Sequence, residues 1–123
     1  MRDHTKYKAF ELADQLVIII YQVTRGFPRE EMYGLTSQMR RAAISIPSNI
    51  VEGCGRETEK EFVRFLEIAF SSLRELKYQV TIAQRIGYLQ DSRNIDQELI
   101  EAEKVMASLI KSIKRGKRSA IAE

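Results

Sequence analysis

Chemistry-bearing residues are few in this chain of 123 residues, and the densest group is Ser45-Ile46-Pro47-Ser48-Asn49-Ile50-Val51-Glu52-Gly53-Cys54-Gly55-Arg56. It places the single cysteine beside a carboxylate, an amide and two glycines. A cysteine nucleophile needs a base, and the one histidine, His4, stands near a terminus, where chains fray. A small apolar residue at a helix end is the simpler role for Cys54. Glu52-Gly53-Cys54-Gly55 lacks the G-x-x-x-x-G-K-[ST] spacing of a phosphate loop, and no strand leads into it. Carboxylate-bridged metal pairs in helical bundles use Glu-x-x-His, which does not occur here. The expectation is a non-enzymatic chain with no cofactor and no metal. Its rival is an enzyme with a deep polar pocket around Glu52 to Arg56.

The second kind of chemistry is cationic. Twenty Lys and Arg against 17 Asp and Glu give a net charge of +3, and the pI is near 9.1. Basic balance permits RNA or DNA as a partner without requiring it. Lys60, Arg64, Glu67, Ser71, Arg74, Tyr78, Thr81 and Arg85 recur at steps of four and three, and four of these eight are basic while one is acidic. Such a stripe suits phosphates, with Tyr78 placed to stack on a base. The plainer alternative is a solvated face with ordinary ion pairs, and Glu57, Glu59, Glu61 and Glu75 flank it. Lys111, Lys114, Arg115, Lys117 and Arg118 crowd five cations into eight residues. They read either as a basic tail for nucleic acid or as charges opposing a helix dipole. Arg40 and Arg41 leave a helix about 100° apart, and Glu52 or a neighbouring subunit is the partner expected for one of them.

These residues need helices to hold them. Apolar residues at alternating steps of three and four mark four segments, about 5–25, 34–53, 58–87 and 92–114, and none alternates with the period of a strand. The first carries Ala9, Ala13, Leu16, Ile20 and Val23; the second Leu35, Met39, Ala42, Ala43, Ile46 and Ile50. The third carries Phe62, Leu66, Ala69, Leu73, Leu76, Val80 and Ala83; the fourth Ile95, Leu99, Ala102, Met106, Leu109 and Ile113. Thr58 with Glu61 forms a capping-box pattern. Pro47 lacks the N–H owed to the Ala43 carbonyl, which predicts a kink, with Ser45, Ser48 and Asn49 near to serve loosened backbone groups. Gly53 and Gly55 permit left-handed conformations at the end of that helix. Short connections make the fold all-α: an antiparallel up-down-up-down four-helix bundle in one domain spanning 1–123, with a basic tail at 111–123.

Val17, Ile18, Ile19, Phe65, Ile68, Ile82 and Ile86 exceed what one stripe per helix requires. A helix apolar on two sides usually has two partners, so self-association is expected. No signal-peptide pattern opens the sequence, and no apolar run approaches the roughly 18 residues of a membrane span, which points to the cytoplasm.

The run Phe27-Pro28, Glu31, Tyr33 to Ala43, Ser45 to Ile50, Glu52-Gly53 and Gly55-Arg56 resembles the four-helix bundle proteins encoded in intervening sequences of 23S ribosomal RNA genes. The likeness continues through Glu61-Phe62, Arg64 to Ala69, Ser72-Leu73, Glu75-Leu76 and Gly87-Tyr88-Leu89, covering about Tyr7 to Ile113. Cys54, where a larger or aromatic residue is expected, and Phe70-Ser71, where the family often has a small residue, depart from the pattern. The accessory variability proteins of diversity-generating retroelements look like distant relatives. The resemblance implies a homopentamer of bundles and, through the retroelement branch, nucleic acid and a nucleic-acid-processing partner; it marks no catalytic residue. The expected function is thus a self-associating basic scaffold for RNA, DNA or such a partner, the alternative being a protein-interaction adaptor that binds no nucleic acid.

Overall fold

A computed structural model describes residues 2–90 and 93–116, all helix and connection. The four helices are α1 (Lys8–Thr24), α2 (Leu35–Cys54), α3 (Glu59–Arg85) and α4 (Arg93–Lys114), and no strand occurs among the described residues. Each helix packs on two neighbours: α1 on α2 and α4, and α3 on α2 and α4, with the α2–α3 seam the most extensive. Contacts along the α3–α4 seam pair Glu67 with Lys114, Lys77 with Glu103 and Gln84 with Asp96. Residue numbers rise on one helix as they fall on the other, so these two helices run antiparallel.

The core is the set of stripes expected from periodicity. Leu16, Ile20, Met39, Ile46, Ile50, Leu66, Leu73, Leu76, Met106 and Leu109 are wholly buried. Removing three carbons from one of them costs about 2–5 kcal/mol. Val23 and Leu35 are only partly buried, packed against the edge of this core.

Local departures have local causes. The first helix begins at Lys8 rather than near Thr5, after a separate 3-10 turn at His4–Lys6. Between them Tyr7 is extended (φ −95°, ψ 128°) and buried, its ring edge-on to Phe62 at 5.8 Å. That seat draws the backbone out of helical geometry. His4 is not frayed: its ring meets Phe10 at 4.7 Å.

Helix α2 is continuous across Pro47, which is buried inside it. Asn49 Nδ2 donates to the Ser45 carbonyl (2.8 Å) and to Ser45 Oγ (3.0 Å), and Ser45 Oγ is 2.8 Å from Ser72 Oγ on α3. The polar side chains therefore serve Ser45 and the α2–α3 seam, not the Ala43 carbonyl. Gly53 and Gly55 permit left-handed conformations, yet neither adopts one: Gly55 has φ −83°, and among the described residues positive φ is confined to Gly87 and Gly116. Gly53 instead permits close approach, since a Cβ there would lie 2.9 Å from Phe65 Cβ and 3.1 Å from Phe62 Cδ1. The left-handed stop belongs to Gly87, where the Tyr88 N–H reaches the Ala83 carbonyl (2.9 Å) and the Gly87 N–H reaches that of Gln84 (3.1 Å).

Candidate nucleic-acid interface

Thr58 starts α3 by accepting the Glu61 N–H at 3.1 Å, which fixes the rotation of every residue that follows. The Glu61 carboxylate does not reach back to complete a capping box; it binds Arg64 at 3.2 Å. With Phe62, Leu66, Leu73 and Leu76 buried, the opposite side of α3 faces solvent. Lys60, Arg64, Glu67, Ser71, Arg74, Tyr78, Thr81 and Arg85 are all exposed. The stripe read from the sequence is therefore one continuous solvent-facing strip. From Lys60 to Arg85 is 25 residue steps, about 37 Å along the axis.

The cations differ in how far they are engaged. Arg64 holds Glu61 and also lies over the Phe65 ring, 4.5 Å from its centroid. Arg56 covers the same ring at 4.7 Å and pairs with Glu52 at 3.0 Å, so Glu52 is taken by Arg56 and not by Arg40 or Arg41. Arg40 donates to Thr24 Oγ1 (2.9 Å) and sits over Tyr21. Lys60, Arg74, Arg85 and Lys111 make no ion pair among the described residues. Exposed ion pairs contribute about 0–1 kcal/mol, so even the engaged head groups exchange partners at little cost.

Packing of α4 on α3 brings the two candidate groups to one side of the molecule. Lys114 reaches Glu67 at 2.7 Å, and Lys111, one turn earlier, lines the same seam with Phe70, Ala107 and Ile110. Arg115 is exposed at the helix end; Lys117 and Arg118 lie outside the described residues. Sequence reading missed Lys104. It follows Glu103, the partner of Lys77 at 2.9 Å, so in the antiparallel register it leaves α4 at the level of Leu76, between Arg74 and Tyr78, and all three of Arg74, Tyr78 and Lys104 are exposed. The series Ile100, Lys104, Ala107, Lys111 has helical spacing, but only the α3–α4 register shows that it borders the α3 stripe.

The segment around Cys54 is tightly filled. Gly53 abuts Phe62 and Phe65, Cys54 is buried, and burial pushes its thiol up to about 11, with Arg2 and Asp3 the charges acting on it. It is protonated at neutral pH, the opposite of an activated nucleophile. Among the described residues no three His, Cys, Asp or Glu side chains group closely enough to hold a metal ion. No helix there is long and apolar enough to cross a membrane.

The family model described as 23S rRNA-intervening sequence protein matches residues 5–111. Among solved structures, the chain is similar to a protein of unknown function from the S23 ribosomal protein family of Bacteroides thetaiotaomicron. Identity is 21%, the TM-score is 0.75, and the match covers 84% of this chain and 95% of that one. No curated protein matches the chain.

Proposed function

Since the chain belongs to the 23S rRNA-intervening sequence protein family, we propose that it is a non-enzymatic, cytoplasmic, self-associating helical scaffold that binds RNA or DNA, alone or with a nucleic-acid-processing partner. The observation that carries this reading is the α3 strip, solvent-facing from Lys60 to Arg85 with one acidic residue among its eight. Cations in that arrangement attract phosphates by counterion release, and an exposed aromatic among them suits an unpaired base. Tyr78 is 63% exposed. Self-association is supported by Ile18, Ile68 and Ile86, which are 56%, 38% and 52% exposed on one chain. A symmetric assembly, pentameric by resemblance, would repeat the strip and convert weak sites into avid ones.

Retention of the chain on heparin and on labelled RNA tests this function. Binding at low salt should weaken steeply as salt rises, and neutralising Lys114, Arg115, Lys117 and Arg118 should reduce it; absence of binding at low salt removes the nucleic-acid reading. The adaptor reading is favoured by one specific feature, the connection ahead of α2, where Tyr33 is 96% and Met32 49% exposed. An apolar knob of that kind suits a protein partner.

A further inference from the structure

Two troughs lie along the α3–α4 seam. One, about 410 Å³, is bordered by Lys60, Val63 and Arg64 and also by the carboxylates Glu59 and Glu61, the second of which holds Arg64; the other, about 540 Å³, is floored by Phe70, Ala107 and Ile110 and bordered by Lys111. Both include Glu67 and Lys114 in their walls. The Lys114–Glu67 ion pair, 2.7 Å long with both side chains about half exposed, therefore stands where the two troughs meet.

We propose that this seam is a lengthwise channel for single-stranded nucleic acid, and that Glu67 is a built-in competitor which a phosphate must displace from Lys114. The proposal rests on the nucleic-acid reading above and adds to it the strandedness and the site. Helices packed about 8–10 Å apart leave a trough about one side chain or one base wide. A single strand lies along such a trough, whereas a double helix rides over its rims. The floor argues the same way. A duplex offers phosphates but hides its base faces, leaving Phe70, Ala107 and Ile110 uncovered; a single strand sets a base on the apolar floor and its phosphates on Lys60, Lys111 and Lys114. Arg74 and Tyr78 continue the track beyond the second trough, both exposed. Because the Glu67 pair is solvent-exposed, phosphate replaces the carboxylate at modest cost, yet that cost is subtracted from affinity at every binding event.

The test is fluorescence anisotropy of a labelled twelve-nucleotide oligouridylate with the full chain at low salt, with melting curves to confirm that each variant is folded. Glu67→Gln should tighten binding about two- to fivefold, as loss of an exposed competing pair allows. Lys111→Gln should weaken binding and lower the slope of log K against log salt by about 0.7, one phosphate contact on a single strand. Ala107→Glu, at an exposed position on the floor, should weaken it at least tenfold, while Arg41→Glu on the α2–α3 face should change binding least. Single strand binding unmoved by Glu67→Gln, Lys111→Gln and Ala107→Glu overturns the seam and leaves the broader reading standing. A duplex of equal phosphate number that competes better than the single strand overturns the strandedness. Polyglutamate that competes better than either assigns the seam to an acidic protein segment instead. Failure of the unaltered chain to bind any oligonucleotide overturns both the seam and the function it rests on.

Discussion

Gly53 and Gly55 stand two apart and do opposite things. At Gly53 a Cβ would press on Phe65 Cβ at 2.9 Å and on the Phe62 carbonyl at 3.3 Å, atoms fixed by the α3 backbone, so Gly53→Ala pushes α2 and α3 apart. Overpacking costs about 1–3 kcal/mol, which outweighs the helix-propensity gain of up to about 1 kcal/mol. At Gly55 a Cβ meets only the Glu52 carbonyl at 3.6 Å, and φ is −83°. Gly55→Ala should leave stability unchanged or raise it by about 0.5 kcal/mol. Urea unfolding of both variants checks the pair: the midpoint should fall for the first and hold or rise for the second. That distinction was not legible in the sequence. Both glycines looked like chain-bending residues, and only the packing of α2 against Phe62 and Phe65 shows that one of them is a contact.

At the scale of elements, the start of α2 is held from outside its own span. Gly34 has no capping side chain; instead Glu31 Oε1 accepts the Leu35 N–H at 3.0 Å, while Glu31 Oε2 accepts the Tyr88 hydroxyl at 2.9 Å. One carboxylate thereby ties the connection before α2 to the connection after α3, and Phe27 rests against the Tyr88 ring at 5.2 Å beside it. The Leu35 N–H and then the Tyr88 hydroxyl hold the Glu31 carboxyl below its usual value, and the same carboxylate raises the Tyr88 phenol. A carboxyl whose folded-state pKa is lowered stabilises the fold above its unfolded value, near 4.5, and that contribution disappears as pH falls through the lower folded value. Stability of the unaltered chain should therefore decline more than that of Glu31→Gln as pH falls below the unfolded value and through the folded one, as denaturant titrations at a series of pH values from neutral into acid would show; equal declines would contradict the cap. The four stripes, their order and the Thr58 start were legible because periodicity and capping are local. Glu31 and Tyr88 are 57 residues apart, and no local pattern joins them.

On the whole molecule, the faces divide. The α3–α4 side carries Lys60, Arg64, Arg74, Lys104, Lys111 and Lys114, all exposed, with Ile100 the exposed aliphatic residue among them, whereas Ile18 on α1, Ile44 on α2, Ile68 on α3 and Ile86 just past its end leave apolar surface open elsewhere. Ile82, expected among this surplus, is only partly exposed. Sequence periodicity identified the apolar excess because it counts residues beyond one stripe, and it identified half the basic face for the same reason. It did not reveal that α4 completes that face, since the α3–α4 register comes from how the buried stripes of the two helices pack and is visible only in contacts such as Glu67–Lys114 and Lys77–Glu103. Under the proposed function, assembly would cover the open apolar surface and repeat the outward-facing cations on every copy. Both expectations meet in one measurement, sedimentation velocity of the chain mixed with labelled single-stranded RNA. The account predicts a protein boundary at a multiple of 14.2 kDa that carries the RNA at low salt and releases it at high salt without itself dissociating. A 14.2 kDa boundary, with the RNA sedimenting alone at low salt, would contradict it.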